Sequence, residues 1–188
     1  MDLILLQPGD PDFIPTTNDE TGGSLIDPQW QDAGLNLGRC LELVSVHQGI
    51  RLKTAITGEQ AHDNAAASRP IITELTCVKY VDKTSVKLYD HCLRAQPLGE
   101  GKDQPTMLYI ARNSGDKTSN IITLALRDAM LSEIQFQSHP DDMPTEQFKL
   151  NFTEILWTYT TQLANTKATG NLVSGWSFAQ NRAITQFS

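Results

Sequence analysis

The chain has 188 residues, 39% of them hydrophobic and 7% aromatic, and a net charge of −7. That length suffices for a real core and predicts a single domain over 1–188, and the composition excludes wholesale disorder. No run approaches the roughly 18 apolar residues of a membrane-spanning helix, and no basic stripe is present to neutralise phosphates, so neither membrane insertion nor nucleic-acid binding is expected.

The charge is unevenly placed. The first 39 residues hold seven acids (Asp2, Asp10, Asp12, Asp19, Glu20, Asp27, Asp32) against Arg39, while residues 40–188 are close to neutral. The opening MDLILLQPGD lacks a basic region before its short apolar run. It reads as a strand over 2–6 rather than a Sec-type signal peptide, so the protein stays in the cytoplasm or leaves by another route. Residues 7–38 form a long loop of turn chemistry, PGDPDFIP and DETGG, with Phe13, Ile14, Ile26 and Trp30 as anchors.

Residues 40–46 predict a strand with apolar groups on both faces. A second long loop follows over 47–69, with no strong period and a few helical residues near 58–67 as an option. It carries Arg51, Lys53 and Arg69 and is more basic than the first loop. That asymmetry offers two copies a means of end-to-end attraction; two solvated loops are the alternative. Residues 71–81, rich in β-branched and aromatic side chains, predict one long strand with Pro70 at its start.

The period then changes. Thr84 or Ser85 is the expected cap of a short helix over about 84–94. Val86, Tyr89 and Leu93, widened by Leu88 and Cys92, form its apolar face, and Lys87, Asp90, His91 and Arg94 fall opposite. The cysteines are three, Cys40, Cys77 and Cys92. Their odd number and wide spacing make no disulfide framework, and they read as small buried hydrophobes.

After a linker over 95–104, residues 105–112 predict a strand and NSGD at 113–116 a hairpin turn. Residues 119–136 read as a long strand whose apolar parity changes at Arg127-Asp128. Residues 147–160 repeat the device at Thr153-Glu154, beyond the loop HPDDMPT. The slip at Arg127-Asp128 suggests a bulge or bend and that at Thr153-Glu154 a bulge, and such strands curl a sheet. A polar connection over 163–174 and a last strand over 175–183 complete the chain. The fold class is therefore mainly β: a two-sheet β-barrel, or tightly curved sandwich, flanked by one short α-helix, with long loops.

No nucleophile elbow, P-loop, dinucleotide fingerprint or paired-cysteine motif occurs. His47, His62, His91 and His139 are far apart in sequence. Asp90, His91 and Cys92 are adjacent on a helix and point away from one another. His139 with Asp141 and Asp142 reads as a solvated turn rather than a metal loop, and the sequon at Asn151 falls inside a strand. No catalytic residue, cofactor or metal is predicted.

Three stretches resemble the haemolysin-coregulated protein (Hcp) family, the tube proteins of bacterial type VI secretion. LTCVKYVDKTSVKLYDHCL at 75–93 resembles the family's strand, its K-x-x-D-x-x-S/T-x-x-L turn and its helix. ITLALRDAMLSEI at 122–134 resembles its long central strand with a bend. EQFKLNFTEILWTY at 146–159 and SGWSFAQNRA at 174–183 resemble its aromatic penultimate strand and its last strand with Gly-Trp. The resemblance spans 71–183; before that, only the order of strands and loops agrees, and loop 7–38 is longer than usual.

The resemblance implies a structural protein rather than an enzyme. It implies hexameric rings that stack into a tube, a contractile sheath, a spike of the VgrG type, effectors in the lumen and export without a Sec signal. No toxin domain is expected after the last strand. The extended loop 47–69 would reach the adjacent ring, which nominates its His47, Gln48, Arg51, Lys53 and Arg69 as stacking or interface residues; Trp157 and Trp176 of the last strands join them as interface candidates. The alternatives are a phage-like tail-tube protein and a secreted β-barrel module that stacks a ligand or glycan on Trp30, Trp157 and Trp176. Tryptophan is highly buried on average, which favours core or interface roles for these side chains.

Overall fold

The computed structural model of the chain describes residues 2–14, 40–52, 70–114, 117–162 and 168–188. The first strand, β1 (Asp2–Gln7), is apolar on both faces because both faces are covered. Ile4 and Leu6 join the main core, and Leu3 and Leu5 bury on the other side with Cys40 and Ala111. β1 pairs with β2 (Leu41–Leu43) on one side and β7 (Thr106–Ser114) on the other. Pairing continues through β8 (Lys117–Arg127), β11 (Glu154–Gln162), β12 (Ala168–Ser177) and β13 (Arg182–Ile184). This seven-stranded sheet runs β13-β12-β11-β8-β7-β1-β2. A four-stranded sheet faces it, built of β3 (Ser45–His47), β6 (Leu75–Tyr80), β10 (Thr145–Asn151) and β9 (Met130–Gln137) in that order. Between the two lies the core, in which Leu6, Leu41, Leu75, Leu108, Leu126, Phe148 and Leu150 are fully buried. Neither sheet closes on itself. The enclosure is the expected two-sheet barrel in the loose sense, its sheets joined by strands that pass from one to the other.

Those passages take the place of a bulge at Thr153-Glu154 and decide for the bend at Arg127-Asp128. The predicted strand at 40–46 breaks at Val44, leaving β2 in the large sheet and β3 in the small one; the Val44 N–H bonds the Val78 carbonyl at 2.7 Å. The predicted strand at 119–136 divides into β8 in the large sheet and β9 in the small one. Asp128 makes the turn in left-handed backbone, φ 51°, a conformation Asp tolerates better than most residues. The predicted strand at 147–160 divides into β10 and β11 about Phe152-Thr153. A residue that changes sheets also changes which side is inward, so the parity of the apolar pattern reverses without any extra residue in a ladder.

Two of the passages hold each other. The Thr153 N–H bonds the Arg127 carbonyl at 3.0 Å. Its hydroxyl bonds Asp128 Oδ2 at 3.0 Å, and Asp128 Oδ1 accepts the Gly101 N–H at 2.7 Å. Behind them Glu154, 2% exposed, meets Arg127 Nη1 at 3.1 Å. Burial by itself raises the Glu154 carboxyl. Hydrogen bonds from Ser188 and Ser177 and from Arg127 outweigh it and hold the group at about 2.

The helix α1 (Ser85–Arg94) lies where the sequence places it, but turned. Leu88 is buried as predicted, with Ser85 and His91 beside it, while Val86 and Leu93 are 74% and 85% exposed. The cause is a buried polar node. Lys79, on the inward face of β6, meets Glu146 at 2.9 Å and Asp82 at 3.0 Å. The Ser85 hydroxyl donates to the same Glu146 oxygen at 2.8 Å and accepts from the Asp82 N–H at 3.0 Å. Lys79, Asp82, Ser85 and Leu88 occupy the spaced positions of the turn pattern at 79–88. A buried ion pair has to be hydrogen-bonded, so Ser85 turns inward, and residues three and six further along follow it. His91 then stacks edge-on against Phe13, ring centres 4.9 Å apart. Thr84 is the N-cap residue without a side-chain cap bond. Its own N–H is taken by Asp82 Oδ1 at 2.7 Å.

Other boundaries move for local reasons. The loop at 47–69 contains β4 (Ile50–Leu52), which pairs with β5 (Pro70–Ile72), so the predicted strand at 71–81 is cut at Thr73-Glu74. The option of a helix near 58–67 lies outside the described residues, as do Ile26 and Trp30. Phe13 and Ile14 do anchor the first loop in the core. β7 and β8 pair up to Ser114 and Lys117, as the hairpin signal requires. The connection at 163–174 is largely strand, since β12 begins at Ala168, and the last predicted strand divides between β12 and β13 around a turn.

Replacing Lys79 by Met strands the Glu146 carboxylate in the core and is expected to cost about 3–5 kcal/mol in urea unfolding. Lys79→Met with Glu146→Leu is expected to recover most of that loss, and a single-variant loss below about 1 kcal/mol would contradict the node. Glu154 titrates below its ordinary 4.5, so its contribution is complete above about 4.5 and is lost as pH falls toward about 2. Glu154→Gln should therefore be less stable than the parent at pH 7, with the gap closing as unfolding is repeated at lower pH. Burial pushes the Cys40 thiol up to about 12 and raises Cys77 as well. Iodoacetamide should accordingly modify native protein at Cys92 alone and all three cysteines in denaturant; native labelling of Cys40 or Cys77 would show that the core is open.

Candidate assembly surfaces

Strand pairing leaves hydrogen-bonding edges wherever a sheet ends. Among the described strands, the small sheet ends at β3 on one side and β9 on the other. The β4–β5 ribbon pairs with neither sheet. Its base is tied by Thr73, whose hydroxyl accepts the Gly49 N–H at 2.6 Å and donates to the Gly49 carbonyl at 2.8 Å. Ile50 and Ile71 project from it, 56% and 46% exposed.

The nominated residues separate into two groups. His47 ends β3, with Thr76 opposite it. Gln48 follows, its side-chain nitrogen buried without a partner, and Arg51 stands exposed on the ribbon opposite Ile71. The structure thus strings His47, Gln48 and Arg51 along the root of one projection. Lys53 and Arg69 lie outside the described residues. Trp157 and Trp176 are in the other sheet, on one face of the β11–β12 pair. Trp176 packs against the core, and its indole nitrogen is buried without a partner. Trp157 is 44% exposed.

The exposure of Trp157 has a geometric cause. Ile155, Trp157 and Tyr159 share the inward face of β11, opposite Leu126, Leu124 and Ile122 of β8. Ile155 is 2% exposed, and Tyr159 is 48% exposed. The apolar face thus runs on past the cover of the core. Leu172, opposite Tyr159 on β12, extends it. A contiguous exposed apolar face marks an interaction surface more often than isolated hydrophobes do. Sequence reasoning missed Leu172, which falls in the stretch read as a connection, and passed over Tyr159, whose alternation with Trp157 was the available signal. It also placed Val86 and Leu93 in the core.

Among the described residues, no group of three or more His, Cys, Asp or Glu gathers where it could hold a metal ion. His139 bonds Gln137 at an exposed turn, and His91 and Cys92 of the helix point to different surroundings. What the geometry offers is strand edges and apolar faces.

The family model for the type VI secretion system effector Hcp matches residues 40–159. No match to a curated protein was found. The fold is shared along almost the whole chain with solved structures. One, described as a type six secretion system protein, aligns with a TM-score of 0.74 at 19% identity over 98% of this chain and 100% of its own. Hcp1 from Salmonella typhimurium aligns with a TM-score of 0.61 at 15% identity over 97% and 99%. Hcp3 from Pseudomonas aeruginosa, a secreted protein, aligns with a TM-score of 0.58 at 13% identity over 94% and 98%. At such identities the superpositions speak for the fold, and it is the family model, matched over well more than half of the sequence, that places the chain in the Hcp family of type VI secretion tube and effector proteins.

Proposed function

We propose that the protein is a non-enzymatic building block of the secretion tube, assembling into hexameric rings that stack. The family match carries this reading. The small sheet supports it, because among the described strands its outermost members, β3 and β9, are different strands at opposite ends. Contact between two different edges is head-to-tail, and a head-to-tail contact closes into a ring when its rotation allows. His47, Gln48 and Arg51 at the root of the ribbon, with Lys53 and Arg69 of the same loop, are assigned to contacts between stacked rings. Trp157, with Tyr159 and Leu172 beside it, is assigned to contacts between copies, and Trp176 to anchoring the strand beneath.

The partners that follow are further copies of the chain, a contractile sheath, a spike protein of the VgrG type and effectors in the lumen. The protein would wait in the cytoplasm and leave with the tube, without a Sec-type signal. No helix among the described residues is long and apolar enough to cross a membrane. The family match favours this reading over a phage-like tail tube. A ligand- or glycan-stacking module is disfavoured by Trp176, whose packing against the core leaves it a poor open platform.

Native mass spectrometry and negative-stain images of one purified sample test the proposal. A dominant hexamer with ring-shaped particles is expected, and a strict monomer at high concentration would overturn the ring. Trp157→Ala should leave unfolding within about 1 kcal/mol of the parent, as an exposed substitution does, yet shift rings toward monomers. Retained rings with lost glycan binding would instead favour the stacking module.

A further inference from the structure

The outward side of α1 has no role in the core or in the contacts assigned above. Ser85, Leu88 and His91 are its buried side. Opposite them stand Val86 and Leu93, 74% and 85% exposed, two turns and about 10 Å apart along the axis. With Tyr89 and Asp90 they frame the four-residue hole that a helix offers to a partner's side chain. Lys87 and Arg94 repeat the seven-residue spacing and form an exposed row beside it. Arg94 holds Asp90 at 2.7 Å, and Lys87 has no ion-pair partner among the described residues. The face is an apolar hole with a basic margin, on a chain of net charge −7.

The chain itself presents the complement. Asp141, Asp142 and Met143 follow one another in the turn 138–144 between β9 and β10, all exposed, Met143 at 54%. The Met143 N–H bonds Asp142 Oδ1 at 2.8 Å, which gives the tip a set shape. Asp141 has no ion-pair partner among the described residues. Methionine is unbranched and adapts to irregular gaps, and acids on either margin suit a basic edge. The turn of the same copy leaves the face open. The Val81 N–H bonds the Pro144 carbonyl at 2.9 Å, fastening the turn beside the start of α1, and Val86 and Leu93 stay exposed with it there. Other exposed apolar sites match less well. Ile71 of the ribbon stands opposite Arg51, a like charge to Lys87 and Arg94. Around Trp157 and Tyr159, β11 and β12 carry no acid but Glu154, which is 2% exposed. We propose that the acidic turn 138–144 of one copy docks on the outward face of α1 of the next, with Met143 between Val86 and Leu93 and the two aspartates against Lys87 and Arg94. The contact joins two different surfaces and is therefore head-to-tail, as a ring or a stack of rings requires. It rests on the reading of the chain as a tube subunit.

The test uses two full-length variants produced in the same cells. Lys87→Gln keeps the turn intact, and Asp141→Asn/Asp142→Asn keeps the helix face intact. A carbodiimide condenses a lysine amine with a carboxylate, so a link from Lys87 to Asp141 or Asp142 can form here only between copies. Mass spectrometry of the digested sample should find that link. Leu93→Asp added to the helix-bearing variant should lower its yield about tenfold, as loss of one apolar contact does. Undiminished yield with Leu93→Asp overturns the docking face. No link in a sample whose native mass spectrum shows hexamers overturns this contact alone, and leaves the face to a foreign protein. No link with a strict monomer overturns the contact and the ring together.

Discussion

Each of the two sheets carries an apolar face that is stable only against the other, and covalent passages between them keep the faces opposed. At Asp128 and at Thr153 the chain leaves one sheet and enters the other, and the two turns are bonded together through Asp128, Thr153 and the Arg127 carbonyl. Without that clamp, β8 and β9, or β10 and β11, would extend as flat continuous strands and half of their apolar residues would face water. The clamp has a polar core of its own. Glu154 tolerates burial because Arg127 and Ser188 give its oxygens more donors than water exclusion removes. One corner thus decides the packing order of four strands.

The helix is positioned by a second buried polar group rather than by its apolar residues. Lys79 and Glu146 are fully enclosed; Ser85 and Asp82 bond to them, all contacts to Glu146 falling on Oε1 while its Oε2 is buried without a hydrogen-bond partner. Ion pairs of this kind contribute little net stability, since desolvation offsets attraction. Their effect here is on orientation: the Ser85 side turns inward, and Val86 and Leu93 are left outside. Among the described residues, apolar surface also stays exposed at Trp157 and Tyr159 of β11 and at Ile50 and Ile71 of the β4–β5 ribbon. These exposed apolar faces are what the proposed contacts between copies would cover.

The alternation of apolar residues along 71–81, 119–136 and 147–160, and the change of period at 84, were enough to read strands, a helix and a curved two-sheet class. The K-x-x-D-x-x-S/T-x-x-L turn and the aromatic strand near the end were enough to suggest the family, because local sequence encodes those features directly. Each parity reversal was visible as well. Its meaning was not, because a bulge within one sheet and a passage between two sheets leave the same trace in the sequence. The rotation of α1 was hidden for a related reason: helix periodicity ranks faces by apolarity, and the face that won here was set by Glu146, about sixty residues away. The exposure of Trp157 depends on where the cover of the core ends. The sequence by itself determined what each segment can become. Only the tertiary structure decided which faces are spent on the core and which are left for partners, because burial is a property of pairs of segments distant in the chain.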